Sequence, residues 1–317
     1  MTDTAFEVAR RAALSWGISG EPELLKQQEN FTFEASSDTG DVIIRVTEDS
    51  QRTVAQIESE LDWIGYLSRE GVNVSAPLIS TMGRLVETFE TENGDYLASV
   101  FAKAPGRPFR FKSDWHPEFH RNLGESIGKM HAAAKSYRPP EGVQPRVSRY
   151  DDMRYIESYI PDNDGFARRE FDEVMEWASG LEIGPETYGL IHTDMNPGNY
   201  FVNNHGNITA FDFDDCSYHW FAYDLAVPVF YSLVHFGLPS PTPNENDWFY
   251  GSLLEGYSRH NVLNEDWLRR IPSFVRYRRI EVYLWALKLL DMNNLSDDAA
   301  SALRRIREGF SIREPLV

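Results

Sequence analysis

Residues 190–215 read LIHTDMNPGNYFVNNHGNITAFDFDD, and this stretch decides the architecture. Tyr200-Phe201-Val202 and Ile208-Thr209-Ala210-Phe211 are short runs rich in aromatic and β-branched residues, joined by Asn203-Asn204-His205-Gly206-Asn207. Two such runs across a short Asn- and Gly-rich connection predict a hairpin. Asn199 stands just before the first strand and Asp212 just after the second. Antiparallel pairing therefore puts them side by side, about 5 Å apart between Cα atoms. An amide oxygen and a carboxylate at the open end of a hairpin make a hard, all-oxygen donor set. It suits Mg2+, with phosphate oxygens completing the shell. Asp194 lies in the loop entering the same end, where it can serve as a base or orient a nucleophile. Taken singly, each of these residues builds turns and caps. The chemistry lies in their combination.

The spacing His192-x-Asp194-x-x-x-x-Asn199 followed by Asp212-Phe213 is the constellation of kinase-type phosphoryl transfer. Here the chain resembles the aminoglycoside phosphotransferase and choline kinase family. Residues 192–199, HTDMNPGN, look like that family's HGDLHPGN loop. Residues 211–215, FDFDD, look like its IDFGD, and Tyr223-Asp224-Leu225-Ala226 looks like its YDLA. The likeness extends more thinly from about Leu24 to Leu290.

The resemblance implies an α+β, two-lobe, protein-kinase-like fold, with a small antiparallel-sheet lobe and a larger helical lobe. It assigns Asp194 as catalytic base and Asn199 and Asp212 as Mg2+ ligands, with ATP or GTP as co-substrate. His192 is then structural, bonded to backbone near the metal-binding segment. Arg45 falls where the family has its phosphate-pairing lysine, and Glu60 where the carboxylate partner of that lysine lies. Glu29-Asn30-x-x-Phe33 resembles the family's non-glycine nucleotide loop. Val100-Phe101-Ala102 resembles the hinge strand whose backbone meets adenine. Three departures stand out. Arg45 keeps the lysine's charge but is bulkier and differently aimed. Asp214 replaces a glycine, giving an Asp-Phe-Asp-Asp run similar to that of bacterial stress-response kinases, which phosphorylate protein serine or threonine. Asp214 or Asp215 would then add an acid behind the metal site or bind the acceptor. Thr193 for glycine reads as a mild change.

Outward from this centre, residues 1–102 read as a nucleotide-binding lobe of strands around one helix. The polar turn Ser36–Gly40 joins Leu24–Phe33 to Val42–Val46 as a hairpin. Val54, Ile57, Leu61, Ile64 and Leu67 share one helical stripe, closed by Gly71. Short strand-like runs follow near Leu78, Leu85–Phe89 and Tyr96–Phe101. Past Ala104-Pro105-Gly106-Arg107-Pro108 the chain turns helical, so residues 103–317 form the second lobe, with the catalytic loop, the metal site and acceptor-binding helices. Gly124 and Gly128 lie on one face of a helix from Arg121 to Tyr137, where a neighbouring backbone can approach. Asp224 reads as a helix cap or buried anchor. Arg276, Arg279 and Tyr283 share a stripe beside Ile280, Leu284 and Leu287. That stripe either lines the acceptor cleft, favouring an anionic acceptor, or pairs with acids at a solvated border.

The composition sets outer bounds. The 317 residues carry 49 acidic against 31 basic side chains, a net charge of −18, which repels nucleic acid at long range. Residues 1–102 hold 18 acids and 7 bases, so most of the excess lies away from the expected acceptor side. The single cysteine, Cys216, excludes an internal disulfide or a multi-cysteine zinc site and reads as inert. With no leader or membrane-spanning pattern, a cytoplasmic protein is expected. The expected activity is transfer of the γ-phosphoryl group of ATP or GTP to a hydroxyl of a small molecule. The alternatives are a stress-response type of protein serine/threonine kinase or a nucleotide-binding pseudokinase. A metal hydrolase would need a histidine cluster that the sequence lacks.

Overall fold

In the first antiparallel sheet, side chains alternate between two apolar environments, as the two-residue period of a strand requires. Val42, Ile44 and Val46 of strand Gly40–Glu48, with Ala98 and Val100 of strand Tyr96–Ala102, pack on Ala5, Val8, Ala9 and Ala12 of helix Thr2–Ser15. The intervening Leu97 and Phe101 turn the other way, into a core shared with Ile57, Leu61 and Ile64 of helix Val54–Arg69. The sheet order is Glu23–Gln27, Phe31–Ser37, Gly40–Glu48, Tyr96–Ala102, Pro77–Leu78, with Glu87–Phe89 also paired to Tyr96–Ala102. The first hundred residues thus hold two helices, one on each face, where the sequence suggested one. The N-terminal helix follows from alanine-rich i, i+3, i+4, i+7 spacing. A computed structural model describes residues 2–27, 30–236, 248–292, 294–311 and 316–317.

Helix Val54–Arg69 has clear start and stop signals. Thr53 caps it by accepting from Gln56 N at 3.3 Å, while Gln56 Oε1 accepts from Thr53 N at 2.9 Å. Gly71, at φ +78°, ends it, and Val72 N donates back to Leu67 O at 3.0 Å.

The rest of the chain is mostly helical. Helix Pro117–Ser136 packs along helix Trp248–Tyr257 at backbone contact. A Cβ on Gly124 would fall 1.9 Å from Leu253 O, and one on Gly128 would fall 2.6 Å from Tyr257 O. The glycine pair read from the sequence is therefore a helix–helix contact. Gly124→Val is expected to destabilise the protein by about 3 kcal/mol, at the upper end for overpacking, because backbone must move. A thermal midpoint within a degree of wild type would contradict this. Helices Arg149–Ile156 and Gly165–Ser179 complete the body with Phe221–Phe236, Ile271–Leu289 and Asp297–Gly309. Among the described residues no helix is long and apolar enough to cross a membrane.

Candidate active site

Strand Tyr188–Ile191 pairs with Ser217–Trp220, which fixes the point where the loop from His192 to Asn199 begins. Asp224 then anchors that loop. It is fully buried in the first turn of helix Phe221–Phe236, inside the helix rather than ahead of it. Its carboxylate accepts from His192 N at 3.1 Å, Thr193 N at 2.8 Å and His131 Nε2 at 3.2 Å. The turn so imposed holds Thr193 at φ +68°. A β-branched residue in the left-handed region is strained by roughly 1–3 kcal/mol, so threonine in place of glycine is not a mild change. In return, Thr193 Oγ1 donates to Asp215 O at 2.9 Å, a bond that glycine lacks. His192 Nε2 donates to Phe211 O at 3.0 Å and joins the two loops, the structural part expected of it.

The hairpin forms with Tyr200 opposite Ala210, and Phe211 N donates to Asn199 O at 3.0 Å. Asp194 and Asn199 therefore meet at its open end, where Asp212 follows the second strand. Asp194 Oδ2 accepts from Asn196 Nδ2 at 2.8 Å and from Asn199 Nδ2 at 2.9 Å. The nitrogen of Asn199 is committed to Asp194, which leaves its amide oxygen for another partner. Asp212 sits at φ +63°, exposed on the cleft, and accepts no hydrogen bond from any described residue. Though its surface is open, the surrounding protein displaces enough water to push its carboxyl up to about 6; Arg45 opposes this and Asp214 adds to it. An unpaired, partly desolvated carboxylate beside an amide oxygen fits a hard divalent cation. Among the described residues no group of three or more His, Cys, Asp or Glu is placed to hold a metal. The chain thus supplies only part of such a shell, and phosphate and water oxygens would have to complete it.

Arg45 points to the face of its strand that meets helix Val54–Arg69. There it pairs with Glu60 through both nitrogens, at 2.8 and 2.6 Å, and lies over the Phe101 ring at 5.1 Å. Burial works against its charge, but Glu60 outweighs it, and Asp214 and Asp212 help to hold the guanidinium above its ordinary pKa. Asn30 accepts from Thr47 Oγ1 at 2.7 Å and reaches Asp214 Oδ2 at 3.5 Å; Glu29 lies outside the described residues. Ala102 N donates to Ala76 O at 2.9 Å, and its carbonyl accepts from Ser75 Oγ. The backbone of Ala102 is thus engaged within the protein. Asp214 is bonded to Arg52 at 3.3 Å, and its own carbonyl accepts from Arg146 at 2.5 Å. Burial disfavours its charge, yet Arg45 and Arg52 hold its carboxyl below the usual range. Cys216 is fully buried, and burial pushes its thiol up to about 12, in keeping with an inert role.

Beside the Asn196–Gly198 part of the same loop opens a cavity of about 330 Å3, bounded also by Phe111, Tyr231, Val234, His235 and Arg305. Phe111 and His235 stack with ring centroids 3.5 Å apart and planes 5° from parallel. The Arg276, Arg279, Tyr283 stripe lines no part of it. Arg276 is buried against Glu170 at 2.8 Å, Arg279 donates to Gly309 O at 2.9 Å, and Tyr283 donates to Asp164 at 2.7 Å. The cleft-lining expectation does not hold for them; the expected pairing with acids holds for Arg276 and Tyr283, but at buried rather than solvated positions. The arginine that enters the site is Arg278, which donates to Asp194 Oδ1. The sequence reading passed over Arg278, Asn196, Arg52 and the cavity walls. For Asn196, the only signal was its place within the catalytic loop.

Residues 22–260 match the model of the phosphotransferase enzyme family. The chain is 29% identical over 318 residues to an amicoumacin kinase of Bacillus subtilis (strain 168), covering 98% of this chain and 93% of that relative. It superposes with TM-score 0.86 and 31% identity on an amicoumacin kinase solved with AMP-PNP, Ca2+ and Ami, covering 98% of this chain and 94% of the other. A spectinomycin phosphotransferase in complex with ADP and spectinomycin shares the fold, at TM-score 0.61 and 17% identity over 98% of this chain and 94% of that one. The chain belongs to the phosphotransferase enzyme family: it has the kinase-like fold and is a kinase with an alcohol group as acceptor.

Proposed function

We propose that this kinase transfers the γ-phosphoryl group of ATP to a hydroxyl of a small molecule held in the 330 Å3 cavity, with Asp194 as base. The observation that carries the reading is that Asp194 and Asn199 are bonded at the open end of the hairpin that Asp212 follows, on a loop whose Asn196–Gly198 segment lines an aromatic-walled pocket. Asn196 and Asn199 fix one Asp194 oxygen, leaving the other to take the hydroxyl hydrogen as charge spreads over the transferring group. Asn199 and Asp212 would hold Mg2+, which when bound would neutralise charge on the phosphates. Arg45, steadied by Glu60, faces the phosphates from the sheet side. Asn30 and Phe101 bound the same side, and Ala102 contributes wall rather than hydrogen bonds.

The likeness to kinases of a small molecule favours a small acceptor over a protein one. Asp214 lends no support to a protein acceptor: its carboxylate is bound by Arg52 and Asn30, not presented to one. The pseudokinase alternative rested on Arg45, which retains a complete ion pair with Glu60. Transfer of labelled γ-phosphate from ATP and GTP tests the proposal, with amicoumacin, spectinomycin, amino alcohols and a generic protein as acceptors. A labelled small molecule, lost when divalent cation is chelated, is the expected result. Label on the protein substrate alone would overturn the small-acceptor reading, and nucleotide binding with no label on any acceptor would restore the pseudokinase.

A further inference from the structure

Arg278 projects from helix Ile271–Leu289 and is 5% exposed. Its Nη2 donates to Asp194 Oδ1 and, at 3.1 Å, to Tyr231 Oη; its Nη1 meets Glu281 at 3.0 Å and Tyr223 Oη at 3.2 Å. Glu281 in turn pairs with Arg149 at 2.6 Å. Four charges of alternating sign thus run from the catalytic loop into the helical body, each compensated by its neighbours. Resting on the reading of Asp194 as base, we infer that Arg278 is a positioning residue that fixes which oxygen of Asp194 the acceptor meets.

The argument is one of lone pairs. A carboxylate offers about four acceptor sites, two on each oxygen. Asn196 and Asn199 fill both on Oδ2. Arg278 takes one on Oδ1, so the remaining site is on Oδ1. That oxygen lies beside the guanidinium that also holds Tyr231, a wall of the acceptor cavity. The bound hydroxyl is thereby directed to one oxygen from one side. Both Nη atoms of Arg278 are committed to protein partners, and its Nε is buried without a partner. Arg278 therefore acts through Asp194 and does not itself grip the acceptor. A planar fork spanning Asp194 and Glu281 is a geometry that lysine's single ammonium does not reproduce.

A double-mutant cycle tests this, using Arg278→Met, Asp194→Asn and the combination, with kcat, KM for MgATP, ADP affinity and thermal midpoint measured for each. Loss of alignment at the reacting atoms is expected to lower kcat of Arg278→Met roughly 10²-fold. KM for MgATP should stay within about threefold of wild type. On the Asp194→Asn background, removing Arg278 is expected to lower the residual turnover by less than about threefold, because the group it positions is already gone. Arg278→Lys should recover only part of the loss, and it carries the same comparison if Arg278→Met does not fold. Equal fold-losses on both backgrounds would reduce Arg278 to a structural ion pair and overturn the inference, as would an unchanged kcat or an effect confined to KM. Full turnover by Asp194→Asn alone would instead bring down the base assignment on which it rests.

Discussion

Asp194→Asn is expected to lower kcat by about 10³-fold, within the span that a positioned general base contributes, while ADP affinity stays within about threefold. The substitution keeps the side chain's size, so the argument turns on donors and acceptors alone. Oδ2 faces two amide groups, Asn196 and Asn199, and Oδ1 faces the Arg278 guanidinium. Both positions therefore demand an acceptor. An asparagine can satisfy one side only by pointing its own NH2 at the donors of the other. If the amide oxygen stays with Asn196 and Asn199, the nitrogen occupies the place where the acceptor hydroxyl needs a lone pair. If it turns, the oxygen meets Arg278 but Asn199 loses its anchor. Both arrangements remove the charge that balances Arg278 on the cleft side, leaving Glu281 to do so alone. Arg45 and Asp212 are untouched, so nucleotide binding should survive. Steady-state and single-turnover transfer, beside calorimetric ADP binding, read the two effects separately. A kcat within tenfold of wild type would remove Asp194 from the chemistry.

How far the site could be read in advance follows from where its partners lie in the chain. The hairpin and its flanking Asn199 and Asp212 are contiguous, so strand alternation and a turn are enough to bring them together. Arg45 and Glu60 are 15 residues apart, on a strand and the next long helix, and their meeting follows from the strand's alternation. Asp214 and Arg52 are separated by 162 positions, and no local pattern joins them. Arg278 shows the limit most sharply. Arg276, Arg278 and Arg279 lie within one turn of helix, and which of them faces the catalytic loop depends on how Ile271–Leu289 docks against Phe221–Phe236. Periodicity could place the stripe but not its neighbour. The missed N-terminal helix is another matter, since its signal was present: Ala5, Val8, Ala9 and Ala12 have helical spacing. Small alanines make a weak apolar stripe, easily passed over when stronger β-rich runs follow.

Arg45 shows why a departure from a family pattern need not be a loss of function. Arg45→Met is expected to do two separable things. Glu60 is 1% exposed and would be left buried with no cation, and breaking such a pair costs about 3–5 kcal/mol. At roughly 1.5 °C per kcal/mol for a chain of 317 residues, the thermal midpoint should fall by about 6 °C. KM for ATP should also rise at least about tenfold, because the phosphates lose their cation on the sheet side. The double variant Arg45→Met with Glu60→Met separates the two effects. Replacing a buried ion pair by apolar side chains is often neutral or stabilising. The midpoint should therefore return to within a few degrees of wild type, while KM stays high. Arg45→Lys keeps the charge but gives up one of the two contacts to Glu60, so it should fall between wild type and Arg45→Met in stability and retain most of the affinity for ATP. If the double variant regained wild-type KM, the weak binding of Arg45→Met would have been a consequence of a disordered lobe. Arg45 would then be a structural partner of Glu60 with no part in holding phosphate. If KM stayed high on a restored fold, the guanidinium would be doing the work that the family gives to lysine, with Glu60 and the Phe101 ring aiming its bulkier head at the cleft.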